Sequence, residues 1–375
     1  MKSASFLQPL VFTRTGVTAP NRVALAAMTN QQSLPDGTVG DDEYRWLTRR
    51  AEGGFGIVTT CAAHVHPRGR GWLGALGIDN DSLLPRLRCL SAGIRVHGAR
   101  ALVQIFHGGA RAPTDLTGMP PLSASTGNLP GESSGPPAVE ATEEEIAAVI
   151  AAFAAAARRA EAAGWDGVEL HGAHGYLLAQ FLSPLSNRRR DRWGGALDNR
   201  MRLLRETLAA VKSAVSPRFL VGVRLSPRAF PGQDTDTTRE AFAVARTLIR
   251  DGVDFLHFSL WDFRTTLTES ESRIDASGSS PRLLDLAVES VAGACPLFVA
   301  GKIHTPADAA EAMAVGADVA ALGRVAIPYP DWPRRAAGGA FEPALPPYRT
   351  SDLASSAVGP PFLDYLRRWP GFVEG

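Results

Sequence analysis

Residues 167–195 read GVELHGAHGYLLAQFLSPLSNRRRDRWGG. The segment opens as a short strand, 167–170, and then breaks into His171-Gly172-Ala173-His174-Gly175-Tyr176. Two imidazoles and a phenol thus fall within six residues, separated by glycines. Glycine lets the backbone turn sharply and approach a ligand closely. Strand ends that turn into loops are where parallel α/β folds keep their chemistry. An imidazole can hydrogen-bond a carbonyl oxygen, and a phenol can pass a proton to it or to a neighbouring carbon.

Outward from this segment, short apolar strands alternate with helical stretches along the chain. Strands are predicted at 23–28, 56–63, 101–106, 167–170, 220–224, 255–259, 297–300 and 319–322. Between them, helices are predicted at 41–53, 81–97, 143–163, 198–215, 239–250, 283–292 and 307–315. Thr142-Glu-Glu-Glu145 has the pattern of a capping box, and Gly164 stops the long alanine-rich helix that follows. Eight strands in such alternation predict an α/β fold, a (β/α)8 TIM barrel. An open doubly wound sheet would carry a glycine-rich fingerprint after its first strand, where this chain has Thr29-Asn30-Gln31. The apolar pieces at 6–18, with a turn at Thr15-Gly16, predict an N-terminal hairpin plugging one end of the barrel. The chain reads as a single domain, with the barrel over about 21–330 and a C-terminal extension over about 331–375. In that extension, residues 362–372 have the apolar spacing of a helix lying on the barrel's outside. The long loop at 107–141 reads as a lid or hairpin over a site, a second long loop runs over 260–280, and the two decide substrate.

The composition agrees with a globular protein. Of the 375 residues, 45% are hydrophobic, and Lys+Arg 39 against Asp+Glu 38 leave a net charge of +1. That balance points to neither nucleic acid nor an anionic membrane. The basic run Arg188–Arg192 reads as a solvated loop. Cys61, Cys89 and Cys295 are scattered, which predicts no disulfide framework and a reducing compartment. The N-terminus shows no signal-peptide core, and no apolar run approaches the ~18–20 residues of a membrane span. A cytoplasmic protein is the expectation.

The segment HGAHGYLLAQFLSPLSNRRRDRWGG resembles the active-site segment of the Old Yellow Enzyme family, FMN-dependent ene-reductases on a (β/α)8 barrel. The resemblance covers most of 21–330. Against the needs of bound FMN, the strand ends read as follows. Gln104 can offer both a donor and an acceptor to the flavin's pyrimidine edge. Arg224 is a fixed positive charge suited to the anionic reduced ring. Gly301-Lys302 and Gly323-Arg324, at the ends of the last two strands, suit a phosphate. Taken singly, Gln104 could instead pair with backbone, and Arg224 could sit in an internal ion pair.

The resemblance implies further roles. Ala27-Met28-Thr29 matches a family motif that has proline where this chain has Ala27, and Thr29 would touch the flavin's O4/N5 region. Ala62 would lie beside the ring. Gln104 falls in VQIFHGGAR, and Phe106 occupies a position that shapes the substrate pocket. His171 and His174 match the pair that holds the substrate's carbonyl oxygen, and Tyr176 matches the proton donor. Cys61 and Gln31 depart from the family pattern, the first from an acidic residue and the second from a tyrosine found in one bacterial subgroup; both bear on substrate range. The implied reaction moves hydride from NADPH or NADH, through FMN, to the activated C=C of a small-molecule enone. The implied assembly leaves room for a homo-oligomer whose C-terminal tail reaches a neighbouring site. Alternatives are a specialised biosynthetic redox or isomerase role on the same fold, and a flavin-binding protein without catalysis. Metal ligation by the histidine pair lacks a nearby third ligand. Iron–sulfur relatives need a cysteine group that three scattered cysteines do not supply.

Overall fold

The computed structural model describes residues 5–132, 135–230, 233–267 and 280–374; within the predicted loop at 260–280, residues 268–279 lie outside the described residues. Eight parallel strands form the barrel. They are β1 (Val23–Leu25), β2 (Ile57–Thr59), β3 (Arg100–Phe106), β4 (Gly167–Gly172), β5 (Leu220–Leu225), β6 (Phe255–Ser259), β7 (Leu297–Ala300) and β8 (Val319–Leu322). Each pairs with the next, and β8 pairs with β1 through Ala320 opposite Val23 and Leu322 opposite Leu25, so the sheet closes. The (β/α)8 barrel expected from the alternation is the fold observed.

The helices between strands are α1 (Asp41–Glu52), α2 (Leu84–Arg95), α3 (Glu143–Ala162), α4 (Arg202–Ala214), α5 (Thr235–Arg250), α6 (Leu283–Val291) and α7 (Pro306–Val315). The capping box at α3 is formed: Glu145 N donates to Thr142 Oγ1 at 3.2 Å, and Thr142 N to Glu145 Oε2 at 2.9 Å. The first strand stops at Leu25, short of the predicted 28, and the helix predicted at 198–215 is broken at Met201; two further boundaries differ for a visible reason. Helix α5 starts at Thr235, not 239, because the Asp234 carboxylate accepts the Thr237 N–H at 2.8 Å and caps it. The predicted strand 56–63 is interrupted after β2: Thr60 Oγ1 donates to the Cys61 carbonyl at 2.6 Å, and the chain rejoins the sheet only at Ala63–His64, beside the end of β3.

Because side chains alternate across a strand, each strand faces two cores. Val168, Leu170, Val221, Val223, Leu256 and Phe258 point outward into the layer shared with the helices. Leu102, Leu220, Phe255 and Phe298 point inward and fill the lower barrel. Gly222 gives the Phe255 ring its space, since a Cβ there would lie 2.1 Å from the ring. The N-terminal strands Leu10–Phe12 and Val17–Ala19 pair antiparallel and close the barrel's bottom. Phe12 packs 6.0 Å from Phe255 and 6.2 Å from Phe298, ring centre to ring centre, and Arg14 Nε reaches Asp254 at 3.0 Å. This is the predicted plug.

The C-terminal extension folds onto its own barrel. Helices α8 (Trp332–Ala337), α9 (Thr350–Ser355) and α10 (Pro360–Leu366) follow β8, and Phe362 packs edge-on against Trp46 of α1 at 4.9 Å. Among the described residues no helix is long and apolar enough to cross a membrane.

The plug sets a stability prediction. Phe12 is buried, and its truncation to alanine leaves a cavity against Phe255 and Phe298. The expected loss is about 3–5 kcal/mol in denaturant unfolding, with the strand ends at the opposite face undisturbed. A loss under about 1 kcal/mol would mean that the hairpin is not part of the folding core.

Candidate active site

The C-terminal ends of the strands gather the polar residues. On β4, Glu169 and His171 point into the barrel, since Val168 and Leu170 point out. After the strand, the chain turns at His174, whose φ of 55° is unusual for a non-glycine residue. The turn brings three rings together: His171 lies 5.0 Å from His174 and 4.9 Å from Tyr176, centre to centre. Phe106, at the end of β3, meets the Tyr176 ring edge-on at 5.2 Å. Trp72, from the loop after β2, stacks on Phe106 at 5.2 Å and lies 6.4 Å from Tyr176. Arg111 holds the turn from outside, donating to the His174 carbonyl and pairing with Glu132 at 2.6 Å.

The hydrogen bonds assign the imidazole protons. His171 Nδ1 accepts the Ala173 N–H at 3.3 Å, so Nε2 carries the proton. That Nε2 lies 3.3 Å from His174 Nδ1. His174 Nε2 then donates to Ser259 Oγ at 2.8 Å, which also accepts from Arg224 Nη2 at 3.1 Å. Burial and the neighbouring Arg224 charge hold His171 down to about 3 and His174 well below the ordinary histidine range. Burial pushes the Tyr176 phenol up to about 12, against the opposing field of Arg111. At neutral pH the pair is uncharged and the phenol keeps its proton.

A second polar layer lies deeper. Gln104 Nε2 donates to Glu169 Oε1 at 2.6 Å, and His257 Nδ1 donates to Glu169 Oε2 at 2.7 Å. Arg224 donates from Nη1 to the Ala27 carbonyl at 3.1 Å. Its buried Nε has no hydrogen-bond partner among the described residues. An unpaired buried N–H is costly, and a heteroatom of a bound ring would relieve it. Gln104, with one amide hydrogen given to Glu169, keeps its carbonyl oxygen and a second hydrogen for such a ring.

The remaining expected residues follow β1, β2, β7 and β8. Thr29 is half-buried beyond β1, and Ala62 is buried after β2. Gly323, after β8, is open: a Cβ there would meet nothing nearer than Met28 Sδ at 3.6 Å. Gly301 precedes Lys302, which has a φ of 49° and an exposed ammonium 3.3 Å from Asp262. Arg324 is exposed, its guanidinium 5.5 Å from the centre of the Trp369 ring in the C-terminal extension. Lys302 and Arg324 form no hydrogen bond with the histidine–tyrosine cluster among the described residues; they belong to a separate, cationic side of the site suited to a phosphate. The donor set therefore fits FMN: Gln104 and Arg224 would be able to hold a pyrimidine edge, and Gly301, Lys302, Gly323 and Arg324 a phosphate. Among the described residues, no group of three or more His, Cys, Asp or Glu could hold a metal ion.

Sequence reasoning missed Glu169, His257, Ser259 and Trp72. The first two had a signal, because alternation within Gly167–Gly172 and Phe255–Ser259 puts them on the inner face. Trp72 sits in a loop without periodicity and had none.

A closed parallel barrel with this set of strand-end groups is that of a flavin-dependent oxidoreductase. The chain belongs to the NADH:flavin oxidoreductase / NADH oxidase family, whose model matches residues 6–341. It is 37% identical over 336 residues to the probable NADH-dependent flavin oxidoreductase YqiG of Bacillus subtilis (strain 168), covering 88% of this chain and 87% of that one. It is 35% identical over 343 residues to the NADH:fumarate oxidoreductase of Klebsiella pneumoniae (strain 342), covering 89% of this chain but 36% of that larger protein. The structure of morphinone reductase superposes with a TM-score of 0.79 at 26% identity, over 94% of this chain and 93% of the other. The protein is thus an oxidoreductase with FMN as cofactor and NAD(P)H as reductant.

The buried histidines predict how stability responds to acid. His64, His107 and His171 are held down to about 4, 3 and 3 by burial. The folded form leaves them neutral between pH 6.5 and about 4, while the unfolded chain protonates them. Unfolding then takes up protons, so stability falls as pH drops below about 6.5. At pH 5 these three residues alone contribute uptake of about three protons, read as the pH slope of the unfolding free energy. A flat slope between pH 7 and 5 would contradict their burial as neutral groups.

Proposed function

We propose that the protein reduces the activated C=C bond of α,β-unsaturated carbonyl compounds, with Tyr176 as proton donor. The observation that carries this is the grouping of His171, His174 and Tyr176, with both imidazoles neutral and the phenol protonated. FMN, once reduced by NADH or NADPH, supplies the hydride. The names of relatives support the reaction class: one is an NADH:fumarate oxidoreductase, another an NADH:acrylate oxidoreductase.

The chain's own residues do four things. His171 Nε2–H is committed only to His174, and His174 Nε2–H only to Ser259, so a carbonyl oxygen entering between them exchanges these bonds for its own. As negative charge grows on that oxygen, neutral N–H donors in a dry site stabilise it more than they stabilise the substrate. Tyr176 holds its proton beside the pair and delivers it to the α carbon. Phe106 and Trp72 form a flat apolar wall that orients the alkene and excludes water. Arg224 would offer a fixed positive charge and an unpartnered Nε–H to the bound flavin.

The deciding experiment is the visible spectrum of the purified protein under anaerobic conditions, first with NADPH or NADH and then with 2-cyclohexenone. Bleaching followed by recovery of colour on adding the enone is expected. Recovery only with oxygen would retain the flavin enzyme and reject the substrate class. Tyr176→Phe should leave FMN bound and reducible yet slow enone reduction by ~10²–10⁴-fold. Unchanged rates on every acceptor would remove Tyr176 as donor. The double variant His171→Ala/His174→Ala should lose the charge-transfer band that phenols give on binding; persistence of the band would sink the oxyanion-site assignment.

A further inference from the structure

Below the histidine–tyrosine cluster lies a carboxylate that the proposed chemistry does not use. Glu169 precedes His171 by two residues on the same face of β4, and it is 1% exposed. Both its oxygens are bonded, Oε1 by Gln104 Nε2 at 2.6 Å and Oε2 by His257 Nδ1 at 2.7 Å. Strand register fixes this arrangement. Gln104 stands opposite Glu169 across β3 and β4, while Arg224 stands opposite His171 on one side and His257 on the other. The layer rests on the apolar floor of Leu102, Leu220, Phe255 and Phe298.

A carboxylate this far from water is normally neutral. Burial alone would raise Glu169, yet hydrogen bonds from His257 and Gln104 and the nearby Arg224 cation hold it below the ordinary carboxylate range, so it keeps its charge. Burial also lowers His257 from its ordinary value, so the imidazole acts as a neutral donor to the anion. The barrel therefore carries one full negative charge beside the Arg224 cation.

Two consequences follow from the geometry. The Gln104 amide has one orientation, because a flip would turn its carbonyl oxygen onto an anion. The positive field of Arg224 at the strand ends is also partly cancelled. We propose that Glu169 is a positioning residue that sets the redox level of the bound flavin, by fixing the Gln104 amide and by offsetting the charge of Arg224. This rests on the assignment of Gln104 and Arg224 to the flavin ring.

Glu169→Gln keeps the shape and removes the charge. With the counter-charge gone, the reduced, anionic cofactor is better stabilised and the midpoint potential rises. At a fixed solution potential the ratio of oxidised to reduced flavin should fall about tenfold, the scale of one unit charge acting over ~10 Å at an effective dielectric near 20. Reduction by NADPH should hold or quicken, while hydride transfer out to the enone slows. A purely structural role would lower the melting temperature and FMN retention without moving the potential.

The measurement is spectroelectrochemical titration of the FMN-loaded variant against the unaltered protein. Should Glu169→Gln not fold, Glu169→Gln/His257→Asn puts two amides in place of carboxylate and imidazole and carries the same test. A potential that is unchanged or lower in a variant that holds FMN overturns the proposal. Arg224→Met separates this failure from a misplaced cofactor, because loss of the cation should lower the potential. If Arg224→Met lowers it while Glu169→Gln leaves it fixed, the flavin placement stands and the role of Glu169 falls. If neither variant moves it, the placement of the ring falls as well.

Discussion

A parallel strand in a closed barrel has dry surfaces on both sides, so any polar residue within it must find its partners inside the protein. The lower half of this barrel avoids the problem with Leu102, Leu220, Phe255 and Phe298. Its upper half accepts it, and the residues there bond one another, with Arg224 Nε and His257 Nε2 left without a partner among the described residues. Gln104 and His257 converge on Glu169, and Arg224 spans from Ala27 to Ser259. That exchange of bonds ties β1, β3, β4, β5 and β6 together at one level. It also fixes the platform on which His171, His174 and Tyr176 stand.

The C-terminal extension depends on a different buried charge. Arg50 of α1 is fully buried, and among the described residues it has no carboxylate partner. Its donors go instead to carbonyls: Ala326 at 3.2 Å, Ile327 at 2.7 Å, Ser356 at 2.7 Å and Trp46 at 3.0 Å. The guanidinium lies 3.2 Å from the Trp46 ring centre. A desolvated cation is stable only while such acceptors are present. The cation therefore couples the turn after α9 to the segment that follows β8; elsewhere in the extension Trp369 lies 5.5 Å from the Arg324 guanidinium. In this chain the tail covers its own barrel, as the apolar spacing of 362–372 anticipates.

The elements of the fold were legible because their causes are local. Apolar runs of four to six residues, a capping box at Thr142 and stops such as Gly164 act within a few positions of themselves. The break after β2 and the early start of α5 were not read, since each turns on one side-chain bond, at Thr60 and at Asp234. At the site, the segment His171–Tyr176 announced itself through composition. Glu169 and His257 did not, because each stands between large apolar neighbours in a short strand, and only the alternation along that strand puts it on the inner face. Gln104 and Arg224 were legible as groups but not as partners: neither took the simple alternative, since Gln104 binds a side chain two strands' reading could not foresee, and Arg224 hydrogen-bonds a backbone carbonyl and a serine. Partner choice is set by strand register, which no single segment contains.

The two polar layers differ in how firmly they are bonded, and this difference suits the work assigned to them. In the deeper layer each Glu169 oxygen has a short bond from a buried donor, and breaking either leaves a charged acceptor unsatisfied. In the upper layer the bond between His171 and His174 is 3.3 Å long and joins two neutral rings. His174 is held at a positive φ, which costs of order 1–3 kcal/mol and persists only because Arg111 and the packed rings around it impose the turn. The long His171–His174 bond is the one that the substrate oxygen of the proposed reaction would replace at least cost, while the 2.8 Å bond from His174 to Ser259 is firmer. Strong, charged bonds below them keep the platform fixed while that happens. On the function proposed, preorganisation would come from depth: the Glu169 charge lies in the deeper layer, and the imidazoles and phenol proposed to meet substrate are neutral.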